Sequence, residues 1–267
     1  MKIIVCIKQV PDTTEVKLDP KTGRLIRDGV PSIINPDDKN ALEEALRIKD
    51  ENPDTTVTVV SMGPPQADVA MREALAMGAD EAILISGREF GGSDTWATSY
   101  IIATAIKKIP DYDIIFCGRQ AIDGDTAQVG PQIAEQLNIP QITYVQKLDI
   151  EGDKVIVQRQ LEDGYTVVEA KMPVLLTAIK ELNTPRYMTP KGIFEAYNKT
   201  VQVWGFNDVP VDAEKIGLKG SPTNVNRTFS PEAKGKGIML EGADKETVKT
   251  LIAKLDEKHL LLSLIHI

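Results

Sequence analysis

The sequence predicts an α/β fold built on a doubly wound parallel sheet, and three observations carry that prediction. Short apolar runs recur at residues 2–10, 82–86 and 114–117, with an alternating β-branched run at 56–62. Between them lie stretches with an apolar residue every three or four positions, the period of a helix face. Glycine- or proline-bearing turns join each run to the stretch that follows. Such a βαβαβαβα alternation buries its strands on both faces, which is why most of the runs are continuous rather than alternating.

Taken in order, residues 2–10 form the first strand, and residues 12–30 are an excursion. Val16 and Leu18 face Leu25 across Asp19-Pro20-Lys21-Thr22-Gly23, which reads as a surface hairpin. Asn35-Pro36-Asp37-Asp38 starts a helix, with Asn as N-cap, Pro at the first position and acids in the first turn. Its buried stripe is Ala41, Leu42, Ala45, Leu46 and Ile48, and Asn52-Pro53 ends it. Residues 56–62 are β-branched and alternate as a strand does. Gly63-Pro64-Pro65 then turns the chain into a helix carrying Val69, Ala70, Ala74 and Leu75, with Gly78 as its stop. After the strand at 82–86, residues 87–93 form a flexible loop. Asp94 caps the next helix, whose stripe is Ala97, Ile101, Ile102, Ala105 and Ile109. A strand at 114–117, a polar turn at 118–125 and a helix striped by Val129, Ile133 and Leu137 complete the unit.

Beyond Asn138 the pattern changes. Strands at 143–150, 154–161 and 166–171, joined by Glu151-Gly152-Asp153 and Asp163-Gly164, predict an antiparallel meander within 141–171. Residues 174–179 are one more apolar strand. From Lys180 the apolar period is lost, and Pro185, Pro190, Pro210, Pro222 and Pro231 interrupt the chain. So long an irregular stretch predicts an extended arm lying on a partner chain, a loose surface tail being the alternative. The domains expected are a nucleotide-binding α/β domain at 1–180, an arm at 181–242, and a helix with tail at 243–267. Val248, Leu251, Ile252 and Leu255 share one face of that helix, and the apolar end at 260–267 reads as a cloning remnant.

The 267 residues carry a net charge of -8. A nucleic-acid binder needs a basic face to neutralise phosphates, so that class is excluded. No apolar run is long enough to span a bilayer, and none resembles a signal peptide, so a cytoplasmic protein is expected. Cys6 and Cys117, the only cysteines, sit in apolar strands as reduced thiols. His259 and His266 are the only histidines and stand near the C-terminus, where they supply neither a hydrolase triad nor a metal site. Any chemistry here is therefore expected of a bound cofactor.

Doubly wound sheets bind ligands beyond the carboxyl ends of their strands, where the strand order reverses. That rule gathers residues 6–9, 35–38, 62–63 and 118–130 around one crevice. A strand feeding a glycine-bearing turn and a helix N-terminus makes an anion site, since free N–H groups and the helix dipole meet there. Gly118, Gly124 and Gly130 would let a phosphate approach the main chain. The spacing is neither G-x-G-x-x-G nor a Walker loop, so an ordinary βα turn without a ligand fits it equally well.

Four segments in order then carry a resemblance: GRQAIDGDTAQVGPQIAEQL (118–137), ALAMGAD (74–80), SIINPDDKNALEEALRIKD (32–50) and TAIKELNTPRYMT (177–189). Together they resemble the β subunit of electron-transfer flavoproteins, up to about Met239. The resemblance implies a Rossmann-like nucleotide-binding domain with an arm that embraces an α subunit in a heterodimer. It implies adenine-nucleotide contacts at Cys6, at Asn35, Pro36, Asp37 and Asp38, and at Met62. The phosphate loop and helix entry would be Asp123, Gly124, Asp125, Thr126, Ala127, Gln128, Val129, Gly130, Pro131, Gln132, Ile133 and Ala134. Backbone N–H groups of Thr126, Ala127 and Gln128 and the Thr126 hydroxyl suit phosphate oxygens. Cys6 and Met62 would meet adenine, while Asp123 and Asp125, which would repel phosphate, would accept from ribose hydroxyls or loop N–H groups.

In the family's housekeeping branch this site holds AMP; in its electron-bifurcating branch it resembles a full FAD site served by NADH. The housekeeping pattern has an acid at the position of Gly124 and bulkier polar residues at Thr126 and Ala127. The slimmer DGDTAQVG here, with PDDKN after Asn35, resembles the bifurcating branch, so FAD is expected, with AMP as the alternative. The implied partners are the α subunit, an acyl-CoA dehydrogenase, and ferredoxin or flavodoxin. The loop after PRY, at 184–199, is the candidate docking surface, with Tyr187, Met188, Ile193 and Phe194 available as apolar contacts. Its housekeeping apolar anchor is replaced here by Pro190.

Overall fold

The computed structural model describes residues 1–12, 31–226, 235 and 237–261. Its centre is the set of apolar runs. Strand β1 (Lys2–Cys6) has its middle residues buried on both faces. It is followed by a short ribbon, β2 (Gln9–Pro11) with β3 (Ser32–Ile34), paired antiparallel. The expected hairpin of Val16, Leu18 and Leu25 lies outside the described residues. Helix α1 (Pro36–Glu51), β4 (Thr56–Met62), α2 (Asp68–Met77) and β5 (Glu81–Ile85) make the first half of the winding. Helix α3 (Thr95–Ile106), β6 (Ile114–Gly118) and α4 (Val129–Leu137) begin the second. The meander is β7 (Gln141–Glu151), β8 (Lys154–Gln160) and β9 (Tyr165–Lys171), and β10 (Val174–Ala178) follows it.

These strands form one sheet in the order β5-β4-β1-β6-β10-β7-β8-β9, with a further strand, β11 (Val201–Trp204), beside β5. From β11 to β7 all neighbours are parallel; β8 and β9 extend the sheet antiparallel. The chain winds outward from β1 through β4 to β5, then crosses to β6 on the other side of β1. The order therefore reverses between β1 and β6. One face of the sheet packs Ile3, Val5, Val57, Val59 and Phe116 against α1 and α2. The other packs Ile4, Val60, Ile115 and Leu175 against α3 and α4. Strand β10 is inserted between β6 and β7, an order that periodicity alone does not encode.

The expected arm at 181–242 is corrected over its first part, because the chain divides after Asn226 and residues 181–226 belong with the sheet. Arg186 donates from Nε to Glu43 (2.8 Å) and from Nη2 to Asp50 (2.7 Å), both on α1. Helix α5 (Pro190–Asn198) lies on α2, where Arg72 donates to the carbonyls of Ala196 and Lys199. A Cβ at Gly192 would come 2.2 Å from the Ala76 carbonyl oxygen, so only glycine permits this approach. Past β11, Val209 and Ile216 are buried in the second layer. The short turn α6 (Gly217–Gly220) then brings Ser221 against Asp94. Each piece is held by one or two anchors, which leaves no period to read.

In the second unit, helix α7 (Lys245–Glu257) is capped by Asp244, which accepts from the N–H groups of Glu246 and Thr247. Its apolar stripe, Val248, Leu251 and Ile252, is about half exposed. Leu260 and Leu261 are also exposed, and residues 262–267 lie outside the described residues. No described helix is long and apolar enough to cross a membrane.

Candidate functional site

A cleft of about 1070 Å³ opens at the carboxyl ends of β1, β4, β5 and β6, at the place where the strand order reverses. Cys6 and Cys117 form part of its floor, with Val60 and Met62 beside them. One wall is the turn between β6 and α4. The other is the loop between β5 and α3, with Arg88, Ser93, Asp94 and Thr95. Across the gap the Thr95 hydroxyl donates to Gln128 Oε1 at 3.0 Å. The second wall escaped the sequence reading. Its signal was present, since Gly87, Gly91 and Gly92 mark the carboxyl end of a strand as Gly118 does.

The two helix starts that face the cleft differ. At α3 the Asp94 carboxylate caps the first turn, accepting from the Ala97 N–H at 3.0 Å. At α4, Gln128 stands in the capping position with no side-chain cap bond. Among the described residues, the N–H groups of Thr126, Ala127, Gln128, Val129 and Gly130 meet no protein acceptor. The turn before α4 holds Asp125 and Ala127 at φ of +51° each. An alanine in this left-handed region costs about 1–2 kcal/mol, and the helical Gln128 after it makes successive N–H groups converge. A helix start without an internal cap, opening on a cleft, has the donors to hold an anion.

Of the residues expected at the ligand, Cys6, Asp38, Met62, Gly124, Thr126, Ala127, Gln128, Val129 and Gly130 line the cleft. The other nine do not line it. Ile133 and Ala134 are fully buried in the core between α4 and the sheet. Pro131 and Gln132 follow on the same helix, away from the opening. Pro36 is the first residue of α1, and Asn35 before it is fully buried. Asn35 was expected to cap α1, yet its side chain makes no cap bond. It accepts from the Ile122 N–H (3.0 Å) and donates to the Gln120 carbonyl (2.8 Å), so it holds the β6–α4 turn. Asp123 accepts from Lys8 Nζ at 2.7 Å, and Asp125 from Gln120 Nε2 at 2.7 Å. Those carboxylates are thus each engaged through one oxygen within the protein.

The two acids of α1 have internal roles as well. Asp38 is buried and accepts from the Lys8 N–H (2.7 Å) and the Gly118 N–H (3.0 Å), pinning the ends of β1 and β6. Burial pushes its carboxyl up to about 7, against the pull of those bonds and of Asn35. Asp37 is also raised by burial, the Arg119 guanidinium opposing. Arg119 Nε lies 3.3 Å from its Oδ2, but the two are misaligned for a hydrogen bond, so the pair is purely electrostatic. The glycines differ too. A Cβ on Gly118 would meet Asp38 Oδ1 at 2.2 Å, and one on Gly130 would meet Thr177 Cγ2 at 3.0 Å. Both serve close packing within the chain. Gly124 has open space around it.

Residues 22–209 match the family model described as the electron transfer flavoprotein domain. The chain is 62% identical over 262 residues to electron transfer flavoprotein subunit beta of Thermoanaerobacterium thermosaccharolyticum, covering 98% of this chain and all of the relative. It is 58% identical to subunit CarD of the caffeyl-CoA reductase–Etf complex of Acetobacterium woodii, with the same coverage. To the acryloyl-CoA reductase electron transfer subunit gamma of Anaerotignum propionicum it is 53% identical over 269 residues, again 98% of this chain and the full relative.

Proposed function

Because the chain belongs to the electron transfer flavoprotein family, as a β subunit, we propose that it binds FAD in this cleft as half of an electron-bifurcating α–β complex. The observation that carries the proposal is the uncapped start of α4, whose converging N–H groups open on a cleft with an apolar floor. A dinucleotide fits the size of the opening, which lies at the top of the range for ligand cavities, about 300–1,000 Å³. The bound FAD would supply the chemistry, taking a hydride from NADH and yielding electrons singly to ferredoxin or flavodoxin and, through an α-bound FAD, to an acyl-CoA dehydrogenase.

The chain's own part is to bind and to position. Thr126, Ala127 and Gln128 would donate to the diphosphate, and Cys6 and Met62 would pack against adenine. The β5–α3 loop would bound the far half of the ligand. No side chain of the cleft is assigned as acid or base. That two similar proteins are named for caffeyl-CoA and acryloyl-CoA reductase systems supports an acyl-CoA dehydrogenase as partner. The apolar face of α7 would be covered by the α subunit. Residues 184–199, with Tyr187 94% and Phe194 78% exposed, would dock the dehydrogenase. A reducing cytoplasm suits two free cysteines.

The test is a cofactor count on the purified α–β complex. Two FAD per heterodimer, with bleaching of both on addition of NADH, is the expected result. One FAD and one AMP, with no response to NADH, would reduce the cleft to a structural nucleotide site and send all electron flow through the α subunit.

A further inference from the structure

The two cysteines of this chain are far apart in sequence, yet Cys6 and Cys117 are register partners on the parallel strands β1 and β6. Register partners in a parallel pair project from the same face, here toward α3 and α4. Neighbouring strands lie about 4.8 Å apart, inside the Cα separation of roughly 4.4–6.8 Å that a disulfide bridges. Asp38 fixes that spacing, since its carboxylate holds the N–H of Lys8 and the N–H of Gly118, just beyond each cysteine. Both thiols are free and both line the cleft floor, Cys6 half-buried and Cys117 buried. The hydrogen bond shared with Cys6, together with burial, pushes the Cys117 thiol up, which keeps it protonated.

We propose that Cys6 and Cys117 are a redox-active dithiol, oxidised by a hydroperoxide to an intrachain disulfide that releases the nucleotide. Cys6, the thiol open to the cleft, attacks as thiolate on a peroxide oxygen; the O–O bond breaks, and water or alcohol leaves after protonation. Cys117 sulfur then attacks the sulfenic sulfur of Cys6. The S–O bond breaks, and the Cys117 proton leaves with the hydroxide as water. The peroxide is reduced by two electrons and the dithiol is oxidised by two. Release follows from position, because Cys117 Sγ lies 3.7 Å from where a Cβ on Gly130 would stand, directly under the first turn of α4. Drawing the two sulfurs together moves Cys6 out of the cleft wall and removes the support beneath that turn. This second part rests on the nucleotide reading of the cleft; the thiol chemistry does not.

The experiment treats the reduced α–β complex with hydrogen peroxide and filters it while folded, counting nucleotide in the filtrate and on the retained protein. The retained protein is then unfolded in guanidinium with an alkylating agent, and peptide masses are read. The expected result is joint loss of both thiols, a linked peptide pair about 2 Da lighter than the sum of the two, and recovery with dithiothreitol. Nucleotide should pass into the filtrate in step with the linkage. In the Cys117→Ser variant the linkage should vanish and Cys6 should gain about 32 Da as sulfinic acid. Thiols that stay free in the wild type, or sulfinic Cys6 beside unmodified Cys117, would overturn the dithiol. Linked protein that keeps its nucleotide would overturn release alone. A complex isolated without any nucleotide would instead defeat the proposed function, while the mass readout of the dithiol still stands.

Discussion

Replacing Gly118 by alanine tests how the cleft is built. The added Cβ would stand 2.2 Å from Asp38 Oδ1, 2.6 Å from the Asp38 nitrogen and 2.8 Å from the Asp37 carbonyl carbon. Two of these are main-chain atoms of the first turn of α1, so no rotamer change relieves them. Restoring ordinary contact requires α1 and β6 to part by about 0.8 Å or more in a closely packed interior. Overpacking of this kind costs about 1–3 kcal/mol, and weakening the Gly118 N–H bond to Asp38 adds about 0.5–1.5. A loss of roughly 1.5–4.5 kcal/mol corresponds to a Tm lower by roughly 3–18 °C at this domain size. Because α1 and β6 border the cleft, bound nucleotide should fall as well. Gly124→Ala is the control. No atom lies within 4 Å of its Cβ and its φ is not positive, so a change within about 1 kcal/mol and full nucleotide content are expected. The assay is urea or thermal unfolding of both variants, with nucleotide counted per protein. If Gly124→Ala loses the nucleotide while Gly118→Ala keeps both stability and ligand, then the phosphate lies at Gly124 and the packing argument is wrong.

Two further outcomes follow from ion pairs and caps. Arg186→Ala leaves the buried Glu43 carboxylate without its cation, a loss of about 3–5 kcal/mol in urea unfolding, and adding Glu43→Gln should recover part of it. An unchanged midpoint would mean that the pair contributes nothing. At Asp94, burial pushes the carboxyl up, but bonds from Ala97, Thr223 and Trp96 outweigh it and hold the group below its usual 3.8. A depressed folded-state pKa gives stability that is present above about pH 4 and lost as pH falls through the folded value. Asp94→Ala should therefore cost about 1 kcal/mol at neutral pH, and the difference should shrink as pH falls below about 4 and through the folded value. A difference that persists there would assign the effect to packing.

The parallel sheet was legible because β1, β5 and β6 are nearly continuous apolar runs, as strands buried on both faces need, and β4 is β-branched between them. Gly78 at φ +133° and Asp94 as a cap were legible for a similar reason, since each does a job that few residues do. The segment from Lys180 to Asn226 was not. Ala196, Val201, Val209 and Ile216 are its buried anchors, spaced too irregularly to give a period, and Gly192 and Arg186 act through partners far away in sequence. Within the cleft, the turn before α4 was found by its position in the strand–turn–helix unit. The packing roles of Gly118 and Gly130 were not legible, because a close approach to another part of the chain and a close approach to a phosphate leave the same mark in the sequence.

The segment Asn35–Asp38 shows what that ambiguity conceals. Its acids sit at a helix start beside the cleft, and the resemblance placed them on the ligand. In the fold, Asn35 ties down Gln120 and Ile122, Asp37 faces Arg119, and Asp38 joins Lys8 to Gly118. The next turn of α1 carries Asn40, Glu43 and Glu44, which hold Asn183 and Arg186 at the root of the 184–199 surface. One rigid helix thus sets both the β6–α4 turn that would grip phosphate and the loop that would meet a partner. A change in this helix start would act on the ligand through the placement of the turn. A substitution in PDDKN therefore need not touch a nucleotide to affect its binding, since Asp38 holds Gly118 at the root of the β6–α4 turn, beside the Asn35 contacts to Gln120 and Ile122.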